Sequence, residues 1–98
     1  MKNIISSLNK IFDSRIRLGI MSALIVNDSL DFNSLKETLE VTDGNLASHL
    51  KALESKGLII ATKKFIGRKP NTSYSATREG IELFRSHLKN LEDIISNQ

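Results

Sequence analysis

Thr42-Asp43-Gly44-Asn45-Leu46-Ala47-Ser48-His49-Leu50-Lys51-Ala52-Leu53-Glu54-Ser55-Lys56-Gly57 is the stretch whose reading decides the fold. Thr42 is a favoured helix cap, and Val41 before it with Leu46 after it fit a hydrophobic staple. Leu46, Leu50 and Leu53 share a narrow arc when each residue advances by about 100°. Gly57 is placed to terminate the helix, which is expected over about residues 42–56. The other face carries Gly44, Ala47, Ser48, Lys51 and Ser55, with Asn45 and Ala52 at one flank. A merely solvated face has more long charged side chains. A face that slides into a groove needs small residues near its start, so that the backbone comes close.

Downstream, Leu58 to Thr62 reads as a strand, rich in apolar and β-branched residues. Gly67 and Pro70 punctuate a loop over residues 63–72 that encloses Arg68 and Lys69, and Ser73 to Ala76 reads as the returning strand. The expectation is a β-hairpin with a basic, protruding loop. Thr77 caps a last helix, with Gly80 as a weak spot near its start. Ile81, Phe84, Leu88, Leu91 and Ile95 then follow the spacing of an a/d heptad seam.

Upstream, Asn33 or Ser34 caps a short helix ending near Glu40, and Ser34-Leu35-Lys36-Glu37 has the capping-box form. Leu30-Asp31-Phe32 reads as a very short strand, after the turn cluster Asn27-Asp28-Ser29. Asp13 or Ser14 caps a helix running to about Val26, with Ile16, Ile20, Ala23 and Leu24 on one stripe. Gly19 inside it marks the close approach of a neighbouring element. Ile4, Leu8, Ile11 and Phe12 recur at helical spacing and suggest a short amphipathic arm.

The chain has 98 residues, 40% hydrophobic and 26% charged, which suits one globular domain. It has no cysteine, which removes disulfides, thiolate metal sites and cysteine nucleophiles and fits a reducing cytoplasm. Met1 to Ser7 is too short and too polar for a signal peptide, and the apolar stretch from Gly19 to Val26 is far below membrane-spanning length. The net charge of +3 is modest, but its distribution is uneven. From Thr42 to Tyr74, Lys51, Lys56, Lys63, Lys64, Arg68 and Lys69 face only Asp43 and Glu54. That concentration is what a nucleic-acid face needs. No Gly-rich phosphate loop, no metal-spaced His/Asp/Glu set and few nucleophile–base pairings are present, so no enzyme and no cofactor is expected.

The order helix, helix, helix, strand, basic loop, strand, helix resembles the winged helix–turn–helix DNA-binding domains of prokaryotic regulators, in the broad MarR/ArsR-like group. The resemblance is carried by Asp13 to Ile20, by Phe32-Asn33-Ser34-Leu35-Lys36, by Thr42 to Ile59 and by Lys63 to Gly80. It is strongest to a compact subfamily whose wing has a Gly-Arg-Lys-Pro-like tip and whose strand ends in Tyr-x-x-Thr-x-x-Gly. The resemblance implies a mainly α fold with a small β-wing, as one domain over residues 1–98. An N-terminal helical arm (1–12), a winged core (14–76) and a C-terminal dimerisation helix (77–97) would compose it.

It also implies that the helix at 42–56 enters the major groove of double-stranded DNA, with Thr42, Asp43, Gly44, Asn45, Ala47, Ser48, His49 and Lys51 at or near it. Lys64, Arg68, Lys69 and Thr72 of the wing (about 63–74) would lie along phosphates or the minor groove. Ile4, Leu8, Ile11, Phe84, Leu88, Leu91 and Ile95 would form a homodimer interface, and so call for a pseudo-palindromic operator. For single residues the plainer readings stand beside these: local capping for Asn45, packing or phosphate bonding for His49, a structural role for His87, and surface ion pairs for Arg15 and Arg17. Two further functions stay open: a winged-helix protein-interaction module without DNA, and a small-molecule sensor of unknown effector.

Overall fold

The computed structural model describes residues 8–96. A 3₁₀ turn (Lys10–Phe12) precedes α1 (Arg15–Val26), β1 (Leu30–Asp31), α2 (Phe32–Leu39), α3 (Asp43–Ser55), β2 (Ile59–Ile66), β3 (Lys69–Ala76) and α4 (Arg78–Ser96). The strands form one antiparallel sheet in the order β1-β3-β2. Three helices and a wing are therefore in the order that the sequence implies.

The predicted leucine arc of α3 is the centre of the core. Leu46, Leu50 and Leu53 are buried against Ile20, Met21 and Leu24 of α1, Leu35 of α2, and Leu58 and Ile59 beyond the α3 terminus. Leaving water with side chains of this size contributes about 1.5–3 kcal/mol each. Gly19 permits the close crossing of α1 and α2, because a Cβ there would sit 2.8 Å from Leu39 Cδ2. Phe12 closes one end of the core, edge-to-face with Phe84 at a centroid distance of 5.3 Å.

The local signals at α3 are met in detail. The Thr42 hydroxyl accepts from the Asn45 N–H at 3.2 Å. At the far end Gly57 takes φ +73, with Gly57 N–H bonded to Glu54 O and Leu58 N–H to Leu53 O. That pair of bonds is the Schellman arrangement, and it turns the chain directly into β2.

Several expectations are corrected. The cap of α2 is Asp31, not Asn33 or Ser34: its carboxylate accepts from the Ser34 N–H at 2.8 Å. The 63–72 loop is mostly strand, with only Gly67 and Arg68 left between β2 and β3. Phe84 is 4% exposed within the single chain, buried in the core rather than available as the interface residue expected. Gly80 is no weak spot but a buried close contact between α4 and the Leu58 backbone. The arm is a 3₁₀ turn where it is described; its residues 1–7, Ile4 among them, lie outside the described residues.

Asp31 joins three elements, since its other oxygen accepts from the Asn71 amide of β3 at 3.3 Å. The Ser34 backbone N–H, then the Ser34 hydroxyl and the Asn71 amide, hold its carboxyl below the ordinary 3.8. A depressed carboxylate stabilises the fold above its unfolded pKa, and that stability disappears as pH falls through the folded value. Asp31→Ala is expected to cost about 1 kcal/mol at neutral pH through the lost cap. Its deficit relative to wild type should shrink below pH 3.8, as read by chemical denaturation. A deficit that is constant with pH would remove the carboxylate from this role.

Candidate nucleic-acid interface

Helix α3 turns two faces in opposite directions. While its leucines are buried, Thr42, Asp43, Gly44, Asn45, Ala47, Ser48 and Lys51 are all exposed. No side chain stands above Gly44: nothing lies within 4 Å of where its Cβ would be. The Asn45 amide and Ser48 hydroxyl make no hydrogen bond among the described residues. The Thr42 hydroxyl, rather than the Asn45 side chain, satisfies the first turn, which leaves Asn45 free to donate and accept outward. The helix N-terminus adds a partial positive charge on the same side.

Charge is arranged to the same effect. Asp43 is the one acidic side chain in the first turn of α3, and Lys36 of α2 pairs with it at 2.8 Å. Among the described residues, Lys51, Lys56, Lys63, Lys64, Arg68 and Lys69 enter no ion pair. Positive charge is left unneutralised along α3 and the wing, while the other pairs lie within α4, at Arg78–Glu82 and Lys89–Asp93.

His49 sits half-buried on the flank of α3. Its Nδ1 accepts from Arg17 Nε of α1 at 2.9 Å, and Arg17 Nη1 also donates to Ile11 O at 3.3 Å. A histidine accepting at Nδ1 is neutral and carries its proton on Nε2, which remains a donor. Burial and the Arg17 charge together push its pKa below the ordinary 6.5. This bond was not legible in the sequence, where Arg17 reads as a surface cation. His87 is a structural residue, as expected: it is buried, packs on Phe12, and its Nδ1 accepts from the Asn9 N–H at 3.2 Å.

The wing ends in a two-residue turn. Gly67 has φ +67 and Arg68 does not, the sign pattern of a II′ hairpin with glycine at the first central position. Ile66 and Lys69 flank the turn, and Phe65 faces Pro70 across the ladder. In such a hairpin the Phe65/Pro70 pair is not hydrogen-bonded, so the missing N–H of Pro70 points away from β2. On that side β1 reaches only Ser73 and Tyr74. Arg68 therefore stands at the apex, with Lys64 and Lys69 exposed behind it, whereas Thr72 is half-buried opposite Lys63.

Of the apolar interface candidates, Leu88 and Ile95 are exposed at 45% and 72%, and Leu91 is half-buried on the same helix. Leu8 is half-buried, and Ile11 packs against the core of this same chain. Among the described residues no helix is long and apolar enough to cross a membrane.

Known proteins share this geometry. A family model described as a winged helix DNA-binding domain matches residues 16–95. An uncharacterised protein of Methanocaldococcus jannaschii is 35% identical over 88 residues, covering 90% of this chain and 96% of the other. A transcriptional regulator homologue from Pyrococcus horikoshii has a solved structure that superposes with a TM-score of 0.76 at 33% identity, covering 90% of this chain and 92% of that one. The YusO protein of Bacillus subtilis shares the fold, with a TM-score of 0.81 at 24% identity, over 96% of this chain and 66% of its own. With four helices and a three-stranded sheet among the described residues, and with the family model spanning residues 16–95, the chain belongs to the winged helix DNA-binding domain family.

Proposed function

We propose that this protein is a homodimeric regulator that binds double-stranded DNA sequence-specifically in the cytoplasm and represses by occupying its site. The observation that carries the reading is the run of unpaired cations, Lys51 to Lys69, on the same α3 and wing that expose small and polar side chains. In this reading Asn45 and Ser48 meet base edges, with Thr42, Asp43, Gly44 and Ala47 close by. His49 donates to a phosphate from Nε2, and Lys51, Lys64, Arg68, Lys69 and Thr72 hold the backbone.

The exposed apolar side chains of α4 support the second copy in this reading. Leu88 and Ile95 leave an apolar stripe on α4 that a monomer would expose to water. The radius of gyration is 15.0 Å, against about 13 Å for a compact chain of this size. Pairing α4 with its symmetry mate covers the stripe and presents two reading helices.

The test is fluorescence anisotropy with a labelled duplex across a salt series, with light scattering alongside. Dimer mass and an affinity falling with salt at a log–log slope near −0.9 per phosphate contacted are expected. A monomer at micromolar concentration, or no affinity for any duplex at low salt, would overturn the proposal and favour a winged-helix module that binds protein.

A further inference from the structure

The exposed apolar residues of the wing are unexplained by phosphate binding. Phe65 is 74% exposed and Ile66 is 64% exposed, yet they stand next to the turn of a protruding hairpin. Side chains of directly opposed residues share a face, so Phe65 and Pro70 lie together on one face of the wing and Ile66 on the other. The tip is thus apolar on both faces. Four cations surround it: Lys63 on the Phe65 face, Lys64 and Lys69 on the Ile66 face, and Arg68 at the apex.

From this juxtaposition we infer that the wing tip is a wedge: Phe65, backed by Pro70, enters the DNA minor groove beside Arg68 and loosens a base step there. The inference rests on the DNA-binding reading and names what the wing does within it. Charge complementarity selects the occupant. An apolar partner would leave Lys63, Lys64, Arg68 and Lys69 desolvated and unpaired, while the minor groove offers phosphates on both walls and apolar sugar and base edges between them. The groove is about 6 Å wide, too narrow for a helix or a two-stranded ribbon, so what enters is the side chains at the turn, Arg68 and Phe65, and not the hairpin itself. Apolar side chains inserted between base steps kink the duplex toward the major groove. Arg68 is then drawn by the negative potential of the groove, and Phe65 contributes contact area that the cations do not.

The experiment compares wild type with Phe65→Ala and Phe65→Leu on a bound duplex carrying end-labelled fluorophores, so that affinity, salt slope and bend are read together. Phe65 is exposed, so circular dichroism of both variants should match wild type. Phe65→Ala is expected to lower affinity by about tenfold, the scale of one lost aromatic contact, and to reduce the bend. Its salt slope should stay unchanged, because no phosphate contact is removed. Phe65→Leu should keep most of both properties. Equal affinity and equal bend in Phe65→Ala would overturn the wedge and leave DNA binding itself intact. Wild type that binds no duplex would remove the DNA reading and the wedge together. Capture by anionic vesicles that Phe65→Ala abolishes, with duplex affinity unchanged, would instead assign the tip to a membrane surface.

Discussion

Gly80→Ala should be the most destabilising of the five glycine-to-alanine changes in this chain. A Cβ at that position would fall inside the Leu58 carbonyl, with Leu58 C at 2.9 Å and Leu58 Cα at 3.0 Å. These are backbone atoms, which cannot rotate away as a side-chain tip can. The crossing is pinned on both sides. The Thr77 N–H bonds Leu58 O at 3.0 Å, and the Thr77 hydroxyl donates to Gly57 O at 2.7 Å while accepting from Gly80 N–H at 2.9 Å. Accommodating a methyl means parting α4 from the α3–β2 corner and breaking these bonds. Overpacking costs about 1–3 kcal/mol, and a clash with backbone belongs at the upper end of that range, a large part of the roughly 5–15 kcal/mol that holds a domain together. The midpoint of thermal unfolding should fall by roughly 12–24 °C. Gly44→Ala is the contrast: it meets nothing within 4 Å, and should leave the midpoint unchanged or slightly raised. If both glycine variants melt together with wild type, the rigid crossing at Leu58 is wrong.

The second large effect concerns binding. Replacing Arg68 and Lys69 together by alanine should weaken duplex affinity roughly 10- to 100-fold and reduce the steepness of the salt dependence by about 1.8, two phosphate contacts at about 0.9 each. Stability should not change, because both side chains are exposed and Gly67 alone requires the turn's positive φ. Measuring affinity over a salt series separates this from the Phe65 effect, which leaves the slope alone. A double variant that keeps the wild-type slope would take the wing off the phosphates.

How much of this was legible in the sequence depends on whether the signal is local. Thr42, Val41, Leu46 and Gly57 each act within a turn of their own position, so α3 is found to within a residue. The outward-facing residues of α3 follow from the same helix, since everything opposite Leu46, Leu50 and Leu53 must face outward. The wing is legible in the sequence, but its strands extend further than the local signal indicates. Lys63, Lys64, Lys69 and Pro70 are poor strand formers by composition, and only the ladder between β2 and β3 keeps them extended. The Asp31 cap was legible in principle: an Asp three residues before Ser34 is a capping signature, masked by the nearer Asn33 and Ser34.

Tertiary partners explain the remaining misses. The heptad spacing on α4 cannot say that Phe84 turns inward to Phe12 while Leu88 and Ile95 stay outside, because the first turns of the helix lie on the core and the later ones run past it. Gly80 looks like a poor helix residue until the Leu58 carbonyl is seen against it. Arg17 and His49 are far apart in sequence, and nothing local announces their bond.

Selection of bound duplexes from a random DNA pool at near-physiological salt tests the central claim most directly. A dimer that reads DNA with α3 should enrich an inverted repeat whose half-sites are about one helical turn, roughly 34–36 Å, apart. A pool that stays random through successive rounds, or an enriched site with no repeat, would contradict the dimeric sequence-reading account.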